Sequence, residues 1–180
     1  MIKICKNGWF YPFFIGSDVI INNSVASSNI YQIIDMGHDD SGNTFDLISK
    51  SAITKQAFGS NQIYANSSIR TWLNNTYYNG FSDDIKEHMT TMTVRSNDTN
   101  LYDKVKLPSY TEYGYTTYNN IAQKVEGTKY NYMFYFNLAW HGSRSQYNGG
   151  GAVVLGIAGT SPSHSTPSTL NNQVSIFRLS

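Results

Sequence analysis

Asp35, His38, Asp39 and Asp40 form a cluster of carboxylates around a histidine. Calcium draws many oxygens from one short loop, and Asp39-Asp40-Ser41-Gly42-Asn43 supplies part of such a set. The spacing and the closing Glu of an EF-hand are missing. Asp39 and Asp40 are therefore weak metal candidates, set beside the plainer reading of a solvated turn. Nucleophilic hydrolysis needs a Ser or Cys held against a His and a carboxylate. His38, His88, His141 and His164 fall in loops or on a polar helix face, no Gly-x-Ser-x-Gly elbow occurs, and surface histidines are expected. A single cysteine, Cys5, excludes an internal disulfide and any multi-cysteine zinc site. Gly149-Gly150-Gly151 runs into Ala152-Val153-Val154, which reads as a strand, so no helix N-terminus follows to cradle a phosphate. No catalytic residue and no cofactor is expected.

Binding chemistry has better material. Tyr110, Tyr113, Tyr115, Tyr118, Tyr130, Tyr132, Tyr135 and Tyr147 crowd one stretch with Trp140, His141, Arg144 and Asn148. Tyrosine and tryptophan offer rigid area with a polar tip, and aromatic faces stack on sugar rings. The candidate ligand-binding residues are Trp140, His141, Arg144, Tyr147 and Asn148. The competing reading sends alternate tyrosines of 130–136 into the core.

These residues must be carried by a chain of 180 residues and 20.2 kDa, the size of one domain. Lys+Arg 13 against Asp+Glu 12 leaves a net charge of +1, and charged residues make up 14%, below the usual figure of about 25%. So few cations argue against a nucleic-acid partner. Asn (19), Ser (21), Thr (15) and 14 Tyr replace the missing charge with a neutral polar surface. The apolar run Trp9 to Ile15 contains Pro12 and is too short to insert in a membrane. Lys3 and Lys6 before it imitate a signal peptide only weakly, and none is expected.

The elements read as α+β. Strands are expected at Val19–Ile21, Ile30–Met36, Phe45–Ile48, Val105–Leu107, Tyr130–Leu138, Ala152–Ile157 and Val174–Leu179, with a turn-rich loop at 37–43 and a polar loop at 159–172. Asn66 or Ser67 caps a helix with Ile69, Trp72, Leu73 and Thr76 inward and Arg70, Asn74 and Asn75 outward, ending at Gly80. Ser82 caps a second helix with Ile85, Met89 and Met92 as its stripe. A polar loop follows from Arg95 to Tyr102, and Ser109 caps a brief helix over 110–114.

Phe45-Asp46-Leu47-Ile48-Ser49-Lys50-Ser51-Ala52-Ile53, Tyr64-Ala65-Asn66-Ser67-Ser68-Ile69-Arg70-Thr71-Trp72-Leu73-Asn74, Phe81-Ser82-Asp83-Asp84-Ile85-Lys86 and Asp103-Lys104-Val105-Lys106-Leu107-Pro108-Ser109 occur in that order. Together they resemble a family of uncharacterised-function domains frequent in low-GC Gram-positive bacteria and their phages. Ile15-Gly16-Ser17-Asp18-Val19 and Tyr31-Gln32-Ile33-Ile34-Asp35 extend the likeness, which covers about residues 15 to 115. The resemblance implies a C-type-lectin-like fold: short central helices, an irregular antiparallel sheet and long polar loops. Towards the C-terminus, Phe136 to Ser143 and Val174 to Leu179 depart from the family pattern, so this region is expected to set the partner.

Residues 15–180 are thus expected to form the lectin-like domain. Residues 1–14 serve either as an attachment segment or as an edge strand. The expected function is that of a non-enzymatic binding module, a phage virion protein of tail, baseplate or head-fibre type that recognises a host-surface glycan or protein. The alternative is a structural or decorating virion protein packing against itself, as a homo-oligomer, or against another virion protein. A bacterial surface adhesion domain is third. The location follows: the virion, or otherwise the cytoplasm or cell surface.

Overall fold

The computed structural model describes residues 5–6, 9–10, 14–59, 63–96, 99–109, 111–112, 117–118, 121–122, 125–131, 141–146, 152–155, 163–165, 170–173 and 175–180. In chain order the elements are β1 (Cys5–Lys6), β2 (Trp9–Phe10), β3 (Asp18–Ile20), β4 (Ile30–Met36), β5 (Phe45–Ser49), β6 (Thr54–Ala57), α1 (Ser68–Trp72), α2 (Asp83–His88), β7 (Met89–Thr90), β8 (Met92–Ser96), β9 (Thr99–Asp103) and β10 (Val105–Lys106). Then follow β11 (Thr117–Tyr118), β12 (Ile121–Ala122), β13 (His141–Gln146), β14 (Ala152–Leu155), β15 (Ser163–Ser165), β16 (Leu170–Gln173) and β17 (Ile176–Leu179). Short helices beside a mostly antiparallel sheet make the architecture α+β. Among the described residues no helix is long and apolar enough to cross a membrane.

The organising sheet runs β10-β17-β5-β4-β3, with β7 also paired to β17. Directly opposed residues share a face, so the pairings Phe177↔Leu47, Leu179↔Phe45, Ile33↔Leu47, Val105↔Phe177 and Met89↔Leu179 build one apolar face. Arg178↔Asp46 and Lys106↔Ile176 place charged side chains on the other. A bulge in β4 decides where Asp35 goes. Ile33 opposes Leu47 but Asp35 opposes Asp46, so one extra residue turns Asp35 from the apolar face to the charged one.

The apolar face packs on the helical segment. Ser67 caps α1, accepting from the Arg70 amide at 3.2 Å, and α1 runs into a π turn over Leu73–Tyr77. The wider turn delays the return to the core by one residue. Ile69, Leu73 and Tyr77 are buried, whereas Thr76, expected inward, is exposed and Trp72 is half-buried. Arg70 and Asn74 also do more than face solvent. Arg70 grips Asp103, with Nε to Oδ2 at 2.9 Å and Nη2 to Oδ1 at 2.7 Å. Asn74 accepts from the Lys104 and Val105 amides and donates to the Val105 carbonyl. The core centres on Tyr31, Tyr77, Phe81 and Phe177, with edge-on contacts at 5.1 Å (Tyr31–Phe177) and 5.2 Å (Tyr77–Phe81).

Several expected elements change. The second helix stops at His88, because Met89 pairs with Leu179 in β7 and Met92 opens β8. The polar loop from Arg95 is largely a hairpin, β8 on β9. The loop 159–172 contains β15 and most of β16, and β16 pairs with β6. Tyr130 and Asn131 are not strand, and 132–138 of that expected strand lie outside the described residues. Ser109 and Glu112 exchange the two bonds of a capping box, Ser109 amide to Glu112 Oε2 at 2.9 Å and Glu112 amide to Ser109 Oγ at 3.2 Å, at what is a turn over 111–112 rather than a helix.

Candidate functional site

A strand buried along its whole length cannot hold a lone carboxylate. Every residue of β5 is buried, Asp46 included, and Arg178 on β17 answers it with Nε to Oδ1 at 2.5 Å and Nη2 to Oδ2 at 2.8 Å. Burial works against the Arg178 charge, but the hydrogen bonds and charge of Asp46 outweigh it and hold the guanidinium pKa above its ordinary value. Beside this pair, Asp35 Oδ2 meets His38 Nδ1 at 2.9 Å. Asp35 also accepts from the Asn131 amide at 3.2 Å and from Asn131 Nδ2 at 2.9 Å. Asp39 links the two groups, 3.5 Å from His38 Nε2 and 3.9 Å from Arg178 Nη2. Tyr130 stacks on the His38 ring with centroids 3.9 Å apart. Lys106, 5.0 Å from the Tyr130 ring centre, holds Glu112 at 2.7 Å with both side chains buried. Burial, then the charges of Asp46 and Glu112, push the Tyr130 phenol well above its ordinary pKa, and no hydrogen bond of ordinary geometry reaches its oxygen.

His38 is therefore no surface histidine; it is 6% exposed. Nor is the turn after it a plain solvated one. Gly37 (φ 68), Asp39 (φ 53) and Asp40 (φ 58) are left-handed, a conformation that costs a non-glycine residue about 1 kcal/mol or more. A Cβ on Gly37 would come within 2.8 Å of the Gly42 carbonyl oxygen. As for Asp39 and Asp40 as metal ligands, among the described residues no group of three or more His, Cys, Asp or Glu is arranged to hold an ion.

The charges of this network pair with each other, and the bonds of Asp35 to Asn131 and of Lys106 to Glu112 tie those residues to the sheet. A cleft of about 380 Å³ lies on the opposite, apolar face, between β3 and α2. Val19, Ile20, Ile21, Ile33, Phe45, Leu47, Ile85 and Leu179 line it, with Asn22, Ser82 and His88 as its polar members. The sequence groups Asp35, His38, Asp39 and Asp40, but nothing in it pairs Asp46 with Arg178 or Tyr130 with His38, and no residue pattern announces the cleft.

Of the expected ligand-binding residues, His141 and Arg144 fall on β13, which pairs with β14 through a register shift between Gly142 and Gln146. Trp140, Tyr147 and Asn148 lie outside the described residues. Tyr130 is core.

A domain-family model, Domain of unknown function (DUF6273), matches residues 41–154. The match starts later than the expected resemblance over 15 to 115 and runs past it over Phe136 to Ser143, read as departing from the family, but stops short of Val174 to Leu179. No curated protein matches the chain, and no solved structure does. With well over half its length matched, the chain belongs to the DUF6273 family of domains of unknown function.

Proposed function

We propose that this chain is a non-enzymatic binding module with a C-type-lectin-like arrangement, a virion component of tail, baseplate or head-fibre type that recognises a host-surface glycan or protein. The observation that carries this reading is how the described charges are used. Arg178 with Asp46 and Lys106 with Glu112 pair inside the molecule, while the cleft is walled mostly by hydrocarbon. Paired interior charges stiffen a platform and leave a neutral polar surface, which suits a sugar or an uncharged protein face. Placing His141 and Arg144 on a strand rather than a loop also favours recognition, because rigid elements lose less entropy on binding. The short helices and the return of the terminal strand β17 to the middle of the sheet are in keeping with the lectin-like arrangement.

The test is binding of the purified chain to host cell-wall glycans and to intact host cells, with Trp140→Ala/Tyr147→Ala as the variant. A folded double variant that binds at least tenfold more weakly supports the reading, and one that binds unchanged removes the proposed surface. The second reading, a structural or decorating virion protein, draws on exposed apolar Ile20 and Ile30 at the sheet edge. A stable oligomer that ignores glycans, seen by mass measurement in solution, would favour it.

A further inference from the structure

The last strand of the sheet and the cleft meet at the same place. Among the described residues β3 pairs only with β4. The Ile21 amide donates to the Asn29 carbonyl at 3.1 Å and the Ile33 amide to the Ser17 carbonyl at 3.0 Å. Antiparallel alternation then turns the backbone groups of Asp18 and Ile20 away from β4. Natural sheets blunt such edges with charge or proline. Here Asp18 is neutralised by Lys50 at 2.7 Å, and Ile20 stands 76% exposed with its partner Ile30 at 44%. Beside this edge opens the cleft, walled by Val19, Ile20, Ile33, Phe45 and Leu179 and roofed by Ile85 of α2.

The rim has a sign. On α2, Asp83 is paired with Lys86 at 2.7 Å. Asp84 and Glu87, each next in sequence to a residue that lines the cleft (Ile85 and His88), are exposed and have no ion pair among the described residues. We propose that β3 and its cleft dock an extended segment of a partner protein, which adds to the sheet edge, sinks an apolar side chain into the cleft and sets a Lys or Arg against Asp84 and Glu87. Strand addition of this kind draws affinity from main-chain bonds and selectivity from a pocket that takes alternate side chains. Only an extended backbone supplies donors and acceptors at the two-residue spacing of Asp18 and Ile20, whereas an acyl chain satisfies neither and an anionic head group is repelled by the rim. This surface uses none of the recognition residues proposed at 140–148, and its test does not depend on them.

The probe is a fluorescein-labelled synthetic peptide, Thr-Lys-Thr-Phe-Thr-Lys-Thr, whose Phe and two lysines share one face of an extended strand, titrated against the full chain by fluorescence anisotropy. Two control peptides carry N-methyl groups, one on the four threonines and one on the Phe and two lysines, so that each blocks one edge of the strand. Strand pairing makes the two controls differ at least tenfold, because only one edge faces β3. On the protein side, Ile85→Trp fills the cleft and should weaken binding at least tenfold. The exposed pair Asp84→Lys/Glu87→Lys, checked for native circular dichroism, should weaken it several-fold and remove most of its salt dependence. The proposal is overturned if the parent peptide shows no saturable binding or if the two controls bind equally. It is also overturned if the charge-reversal variant binds like the parent, or if a dodecanoate probe occupies the cleft and the peptide fails to displace it.

Discussion

Arg178 and Asp46 meet as a two-pronged pair across β17 and β5, with side chains only 6% and 0% exposed. At that depth neither charge is tolerated without the other. Arg178→Met leaves the Asp46 carboxylate uncompensated and should cost about 3–5 kcal/mol, while Asp46→Leu with Arg178→Met removes both desolvation penalties and should recover most of the loss. Urea unfolding followed by circular dichroism checks this through the midpoint at unchanged slope. A double variant no more stable than the single one would show that the two side chains do not act as a unit.

Three buried phenols make stability depend on alkaline pH. Burial raises Tyr31 to about 12 from an ordinary 10.0, partly offset by its bond with Tyr77. Burial likewise raises Tyr77 and Tyr130 well above that value. A phenol whose folded pKa lies above its unfolded one favours the folded state only while neutral. The contribution is complete below pH 10, falls as the unfolded chain begins to lose protons, and is gone once pH passes the folded value. Near-ultraviolet tyrosinate absorbance should show Tyr31, Tyr77 and Tyr130 ionising late and together with unfolding. Smooth titration of all of them near pH 10 in a chain that stays folded would contradict this.

Tyr77→Phe isolates one hydroxyl of that group. Its oxygen lies 2.7 Å from the Tyr31 hydroxyl and 3.0 Å from the Ser175 hydroxyl, so removing it strands two buried partners. A loss of about 1–3 kcal/mol is expected, with the edge-on ring contact to Phe81 retained. Equal stability of the two proteins in thermal unfolding would mean that the hydroxyls re-pair or find water.

Local pattern made some of this legible and long-range pairing hid the rest. Ile30–Met36 is a strand with the bounds its composition suggests, and Ser67 caps where its position before Ile69 predicts. Ile85, Met89 and Met92 fit a helical period equally well as sequence. Met89 goes to a strand only because Leu179, ninety residues later, pairs with it. The alternation of Met92, Val94 and Ser96 with exposed Thr93 and Arg95 is a strand's, but Met92 fits the helical stripe from Ile85 equally well. Asp46 in an apolar run signals a buried partner without saying which. Arg178 is fixed by register, and Asp35 reaches the same face only through a bulge that no residue announces. A π turn moved the inward position from Thr76 to Tyr77 for the same reason, since Tyr77 bonds to Tyr31 and Ser175 from elsewhere in the chain.

Asp39 and Asp40 share a left-handed backbone but not a role. Asp39 stands between His38 and Arg178, whereas Asp40 is exposed with φ 58. Asp40→Gly should relieve strain and stabilise by about 0.5–1 kcal/mol, while Asp40→Val, branched at Cβ, should destabilise by at least as much. Asp39→Gly gives up a carboxylate beside two cationic or ionisable groups and should gain less than Asp40→Gly. Ranking the three by thermal unfolding separates strain from charge, and a gain at Asp39 as large as at Asp40 would assign the turn to backbone strain alone.

Gly80 sits where the end of the helical segment touches the loop after β3. A Cβ there would overlap Asn23 Oδ1 and come within 2.9 Å of Val25 Cγ2. Asn23 cannot easily retreat, since its Nδ2 donates to the Tyr77 carbonyl at 2.9 Å and its amide donates to Asn29 Oδ1 at 2.9 Å. Gly80→Ala should therefore cost about 1–3 kcal/mol through overpacking, more than helix propensity alone would return. Asn23→Ala removes the obstructing amide and loses the bond to Tyr77. If the clash is the cause, the double variant Asn23→Ala/Gly80→Ala will be more stable than the two single losses added together, by about 1 kcal/mol or more in a double-mutant cycle. Strict additivity would mean that the chain shifts to admit the methyl group, and that the contact between residues 23 and 80 does not fix how the helical segment meets β3.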